Sequence, residues 1–130
     1  MQKEKLNIFL YERDSIGNQA SIFAQDDKLK EYVKNTFGEA NIKVYIDQCS
    51  LNSECESLKK LVKDLEVEDV DWVATTYSNR FYRLNYKDGR KKLLEILNNI
   101  NKNGTNIAFS EESIHLKNEQ DIFKYVSAGN

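Results

Sequence analysis

Apolar residues along this chain follow two rhythms. Four short runs, Leu6-Asn7-Ile8-Phe9-Leu10, Ile42-Lys43-Val44-Tyr45-Ile46, Val70-Asp71-Trp72-Val73-Ala74 and Asn106-Ile107-Ala108-Phe109, are rich in β-branched and aromatic residues and predict strands. Between them the apolar positions recur at helical spacing: Leu58, Leu61, Val62 and Leu65 share one face, and Leu93, Ile96, Leu97 and Ile100 repeat the same offsets. A looser stripe of Ile22, Leu29, Val33 and Phe37 predicts a helix ending at Gly38, and Asn103-Gly104 ends the later one. The segment from Asn118 to Asn130 predicts the beginning of another helix, with Ile122, Phe123 and Val126 as its apolar side. Trp72 and Phe109 sit inside strand patterns and read as core.

Strands alternating with helices predict a single α/β domain: three layers, with a central, mostly parallel sheet of four or five strands and helices on both faces. In such sheets ligands gather where the strands end. That rule selects three segments, Tyr11–Gln19, Asp47–Cys55 and Tyr77–Asn85.

Composition narrows the function classes. The 130 residues fit one domain, and 40% hydrophobic with 31% charged residues is the balance of a globular domain with a sizeable core. No apolar stretch is long enough to span a bilayer, and the start lacks a signal-peptide pattern, so a cytoplasmic, non-membrane protein is expected. Cys49 and Cys55 lie too close together to staple a fold and match no common metal spacing; they read as small buried hydrophobes in a reducing compartment. One histidine, His115, reads as a surface or loop residue and argues against a zinc site.

The net charge of −2 argues against a free-standing nucleic-acid binder but leaves room for a local basic patch. There are 15 lysines and four arginines, and three of the arginines, Arg13, Arg80 and Arg83, fall in the segments where strands end. Guanidinium, unlike ammonium, grips phosphate with a planar fork. Arg80 and Arg83, three apart, would project from one side of a helical turn toward one phosphate, or form a solvated basic turn. The run Lys87–Lys92 is a DNA-backbone contact or a solvated helix start. Ser15, two residues after Arg13, is a nucleophile beside a guanidinium or simply a helix-capping serine. No GxSxG elbow or glycine-rich phosphate loop accompanies it.

In order and spacing, these pieces resemble the catalytic domain of the serine site-specific recombinases, the resolvase, invertase and large integrase family. Tyr11-x-Arg13-x-Ser15-x-x-x-Gln19 resembles the family's opening, and Ser21-Ile22-Phe23-Ala24-Gln25 its first helix. Tyr45-Ile46-Asp47 followed by Ser50 is similar to its second strand and exit. Val70-Asp71-Trp72-Val73, then Asn79-Arg80-Phe81-Tyr82-Arg83, resembles its D-x-V strand and D-R-F-x-R stretch, and Ser110-Glu111-Glu112-Ser113-Ile114 its fourth-strand exit.

The resemblance implies a resolvase-like fold and metal-independent, cofactor-free cleavage and rejoining of duplex DNA through a covalent 5′-phosphoserine. Ser15 would attack, Arg13, Arg80 and Arg83 would neutralise the transition state, and Gln19 and Ser50 would orient the loops. Asp47, Asn79 and Gln25 would support them, Asp47 either by orienting a loop or by capping the next helix. It also implies a dimer pairing into a tetramer, no small-molecule substrate, and a DNA-binding region after a long helix for which residues 1–130 leave no room. The chain departs from the family at Cys55, flanked by Glu54 and Glu56, where an arginine is expected, at Leu51 in place of a glycine, and at Asn79 in place of an acid. Asp14 beside Ser15 would repel a phosphate if it faced inward. A recombinase-like domain that no longer cuts and serves as a regulatory or assembly module is therefore the rival reading. A flavodoxin-like or receiver-like binding domain is a third, and it would need acidic clusters or a phosphate loop after the first strand.

Overall fold

The computed structural model describes residues 5–15, 17–49 and 55–128. Five strands, β1 (Leu6–Asp14), β2 (Ala40–Gln48), β3 (Trp72–Thr75), β4 (Asn106–Phe109) and β5 (Ile114–Leu116), form one sheet in the order β2-β1-β3-β4-β5. The first four are parallel and β5 runs antiparallel to β4. The helices are α1 (Gln19–Phe37), α2 (Glu56–Asp64), α3 (Gly89–Asn101) and α4 (Glu119–Ala128). The predicted three-layer α/β architecture is the one observed.

From β1 the chain steps outward to β2, then back across the sheet to β3 and β4. With right-handed crossovers, that reversal of direction places α1 on one face and the following helices on the other. The α1 face packs Ile8, Leu10, Leu29, Val33, Trp72 and Ala74 together. The opposite, larger cluster joins Phe9, Tyr11, Leu61, Leu93, Ile107 and Ile122, among others. Strand β1 serves both layers because its side chains alternate: Ile8 and Leu10 face α1, while Phe9 and Tyr11 face the other helices. Continued past Leu10, the same alternation sends Glu12 beneath α1 and Arg13 to the far face. Gly38 ends α1 as expected, its N–H closing on the Lys34 carbonyl at 3.1 Å.

Two details differ from the sequence pattern. Strands β1 and β2 extend through polar residues, since Arg13 pairs in register with Asp47 and Asp14 with Gln48. Backbone pairing with a neighbour, invisible to a hydrophobicity pattern, carries the strands further. Phe123 does not join the apolar side of α4: Ile122 and Val126 are buried, but Phe123 is 60% exposed. Adjacent helical residues diverge by about 100°, and the buried stripe on α4 is too narrow to include both 122 and 123.

Glu12 is fully buried under α1. Burial, and then the Asp26 carboxyl beside it with Asp27 beyond, raises its carboxyl from 4.5 to about 8, with Lys30 opposing. Folded protein therefore retains a proton that the unfolded chain loses above its ordinary value, so rising pH destabilises the fold across that interval. Glu12→Gln should match the wild type in thermal midpoint near pH 4.5 and exceed it progressively up to about pH 8, with a constant gap beyond. Parallel pH profiles for the two proteins would remove the buried proton.

Candidate active site at the carboxyl edge of the sheet

The ends of β1, β2 and β3 meet through one side chain. Arg13, buried near the end of β1, donates from Nε to the Arg80 carbonyl at 3.1 Å and from Nη1 to the Cys49 carbonyl at 3.0 Å. Its own main chain is held by Gln25, whose Oε1 accepts the Arg13 N–H at 3.3 Å and whose Nε2 donates to the Arg13 carbonyl at 3.2 Å. Gln25 occupies a buried position on the inward stripe of α1. An amide there offers the strand edge both a donor and an acceptor where an aliphatic side chain would offer neither.

Beyond β3, a 3₁₀ turn at Ser78–Arg80 leads into Phe81. Phe81 is buried, stacked on Tyr11 with centroids 5.5 Å apart, and in contact with Phe109 at 6.2 Å. This ring anchors the segment to the core and leaves the flanking arginines at the rim. Arg80, half-buried, donates from Nη1 to the Arg13 carbonyl at 3.2 Å and from Nε to Thr76 Oγ1 at 3.4 Å. Arg83 is exposed and its guanidinium lies 5.7 Å from the Tyr86 ring. The pair does not share a regular helical turn, because the 3₁₀ turn stops at Arg80. Even so, the three guanidiniums are near neighbours. Burial lowers the Arg13 pKa, and the charges of Arg80 and Arg83 lower it further. Among the described residues, none of the three is in an ion pair with a carboxylate.

Ser15 is exposed directly after β1, and its carbonyl accepts the Asn18 N–H at 3.3 Å. Gly17, with φ of +89°, supplies the left-handed backbone this turn requires. Asp14 does not point freely at an incoming anion. Its carboxylate accepts the Ser15 N–H at 2.7 Å and the Ser21 hydroxyl. Burial raises its pKa, but those two bonds and the charges of Arg80 and Arg13 outweigh burial and hold it below the usual carboxylate range.

Over residues 8–128 the chain matches the family described as Resolvase, N terminal domain. The chain belongs to the resolvase family. No curated protein matches it. Among solved structures, the N-terminal catalytic domain of TP901-1 integrase is 22% identical with a TM-score of 0.76, covering 94% of this chain and 92% of that one. A resolvase family site-specific recombinase from Streptococcus pneumoniae is 22% identical at a TM-score of 0.75, covering 95% and 85%. The C-terminal catalytic domain of ISC1926 TnpA, an IS607-like serine recombinase, is 25% identical at a TM-score of 0.67, covering 81% and 67%. No helix among the described residues of this resolvase domain is long and apolar enough to cross a membrane.

The other candidate residues of the resolvase domain divide. Asp47 is buried and accepts the Tyr11 hydroxyl at 2.7 Å and the N–H groups of Ser57 and Leu58 at 2.9 Å each. It accepts these amides at the first turn of α2 from the end of β2, capping that helix. Burial and this bond to Asp47 raise the Tyr11 hydroxyl pKa and keep it a donor. Gln19, the exposed first residue of α1, makes no side-chain hydrogen bond among the described residues, and it is Gln25 that orders the strand edge. Asn79 is exposed on the 3₁₀ turn. Ser50, Leu51 and Glu54 lie outside the described residues.

The cysteines correct an expectation. Cys49 and Cys55 are joined in a disulfide, with Cα atoms 6.2 Å apart. A separation of six residues suffices because the end of β2 and the start of α2 lie side by side, as the bonds that Ser57 and Leu58 donate to Asp47 show. The sulfurs lie within 4.8 Å of an Asp47 oxygen. Paired with each other, however, they are not thiolate ligands, and Asp47 already accepts three hydrogen bonds.

Sequence reasoning missed two further supports. Glu112, after β4, accepts the Ser78 N–H at 2.8 Å and the Tyr125 hydroxyl of α4 at 2.5 Å. The Tyr125 hydroxyl also lies 2.8 Å from the Ser78 hydroxyl, so α4 and the β4 exit together brace the arginine turn. An acidic strand exit was legible in the sequence, but its contact with residue 78 was not.

Two outcomes follow from this geometry. The Phe81→Ala variant should lose about 3–5 kcal/mol in urea unfolding, the usual result of emptying a buried aromatic site. Replacing both cysteines by serine should lower stability by about 2 kcal/mol through the released short loop. A double variant with the wild-type denaturation midpoint would show the bridge to be energetically silent.

Proposed function

We propose that this domain cleaves and rejoins duplex DNA, with Ser15 forming a covalent 5′-phosphoserine. The observation that supports this reading is a group of three neighbouring arginines at the strand exits, free of ion-paired carboxylates among the described residues. Ser15 is exposed directly after β1 and its N–H donates to Asp14, which feels the charges of Arg80 and Arg13. Family membership supports a recombinase in general; the residue roles that follow are our own assignment.

In the first step the Ser15 oxygen bonds to phosphorus and the bond from phosphorus to the 3′ oxygen breaks. Ser15 gives up its proton and the departing oxygen takes one, so the exchange is balanced and needs no hydrolysis. Negative charge gathers on the nonbridging oxygens. Arg80 and Arg83 answer it from the rim. Arg13, with two of its donors committed to carbonyls, acts both as the brace of the site and as a fixed positive charge. Gln25 positions Arg13, and Asp47 and Tyr11 set the start of α2. Gln19, Asn79 and Ser50 remain supporting candidates. Reversal of the step with a different 3′ hydroxyl rejoins strands, and a dimer pairing into a tetramer would supply the partner ends.

A second reading, a non-cutting regulatory or assembly module, draws support from Asn79 and Cys55, which stand where the resemblance calls for an acid and an arginine.

Incubating the chain with a randomised pool of nicked duplexes separates the two. A detergent-resistant protein–DNA adduct is expected, mapping to Ser15 by mass spectrometry and absent from Ser15→Ala. Arg80→Gln should slow its formation by about 10²–10³-fold. DNA binding with no adduct from the wild type would favour the module.

A further inference from the structure

The chain as a whole is acidic, yet residues 77–92 contain six cations, Arg80, Arg83, Lys87, Arg90, Lys91 and Lys92, against the single carboxylate of Asp88. Only Arg80 and Arg83 enter the reaction proposed above. The structure arranges part of the remainder into a defined surface. Tyr82 and Tyr86 stand edge to face with centroids 5.7 Å apart. The Lys92 ammonium lies 5.2 Å from the Tyr82 ring and donates to its hydroxyl at 3.3 Å, while Arg83 leans on Tyr86. A ring face holds a cation without cancelling its charge, as a carboxylate would.

Two hollows adjoin along this surface. One, of 440 Å³, is lined by Asn79, Tyr82, Arg83 and Asn85 among others. The next, of 670 Å³, shares Tyr82 and Asn85 and adds Tyr86, Lys87, Asp88 and Lys92. Together they form a trough leading from the arginine turn to the start of α3. Beside the trough, Gly89 at the start of α3 leaves no room for a Cβ, which would meet the Arg83 carbonyl oxygen at 2.4 Å and that of Leu84 at 2.5 Å. Glycine alone lets the start of α3 press against the Arg83–Leu84 backbone. The first turn of α3 carries Arg90, Lys91 and Lys92, with a single acid, Asp88, at the N-cap before it, although the positive end of a helix disfavours cations. Asp88 offsets only one of these charges, so the start of α3 keeps a net positive charge suited to a polyanion.

We propose that this trough holds the DNA strand beside the reacting phosphate. Lys87 and Lys92 contact backbone phosphates, and the two tyrosines pack against the sugar or base between them. The proposal rests on the recombinase reading for its ligand and extends it to residues outside the reacting centre.

Fluorescence anisotropy of a labelled duplex over a salt series tests it. Lys87→Gln with Lys92→Gln should reduce the slope of log affinity against log salt by about 0.9 per lysine. Lys34→Gln, near the far end of the 19-residue α1, serves as the control and should leave the slope unchanged. Equal slopes for the double variant and the wild type, an equal loss from Lys34→Gln, or no binding at low salt would overturn the trough. The Ser15 adduct assay on the same proteins keeps the two ideas apart. An adduct with no change of slope sinks the trough alone, whereas a reduced slope without any adduct sinks the cutting reaction and leaves the trough standing.

Discussion

A guanidinium held at the seam of three strand exits organises this molecule's candidate chemistry. Arg13 ties the Cys49 carbonyl after β2 to the Arg80 carbonyl after β3, and Arg80 returns a bond to the Arg13 carbonyl. Backbone carbonyls at the ends of parallel strands need donors that the sheet no longer supplies. A buried cation with several N–H groups in fixed directions meets that need at two of them at once. The arrangement also keeps positive charge at the rim, because carbonyl partners satisfy hydrogen bonds without neutralising the ion.

Layers of support surround that seam. Gln25 reaches from α1 to both main-chain groups of Arg13, and Phe81 plugs the arginine turn into the core against Tyr11. Tyr11 in turn donates to Asp47, which caps α2. The β1 strand therefore connects to the 3₁₀ turn through a ring stack and to α2 through a hydroxyl. Such a chain of rigid contacts is what a reaction dependent on preorganised charge requires, since donors already in place cost no rearrangement when the transition state forms. Asp14, the residue most at odds with an anion site, is drawn toward Ser21 and the Ser15 amide.

Much of the fold was legible in the sequence. The stripes at Leu58–Leu65 and Leu93–Ile100 lie over α2 and α3, and the runs at Leu6, Ile42, Trp72 and Ile107 lie on strands. Periodicity reports burial on one face, and burial is what these elements share. Phe123 escaped that logic because only packing against α3 decides how wide the buried stripe of α4 is. The cysteines escaped it as well, because a six-residue separation says nothing about whether the two sulfurs are brought together in the fold.

For the site, sequence order alone placed Ser15, Arg13, Arg80 and Arg83 near strand ends, because the ends of parallel strands in an α/β sheet share one edge. Which of them is buried, which exposed, and which bonds to which was settled in three dimensions. Arg13 became a brace and Arg83 a surface cation, though both are the same residue type in similar segments. The bracing of the arginine turn by Glu112 and Tyr125, distant in sequence, is likewise a product of folding. Local pattern encodes how each segment buries its apolar side, whereas a directed hydrogen bond between separate segments exists only once the sheet has brought their ends together.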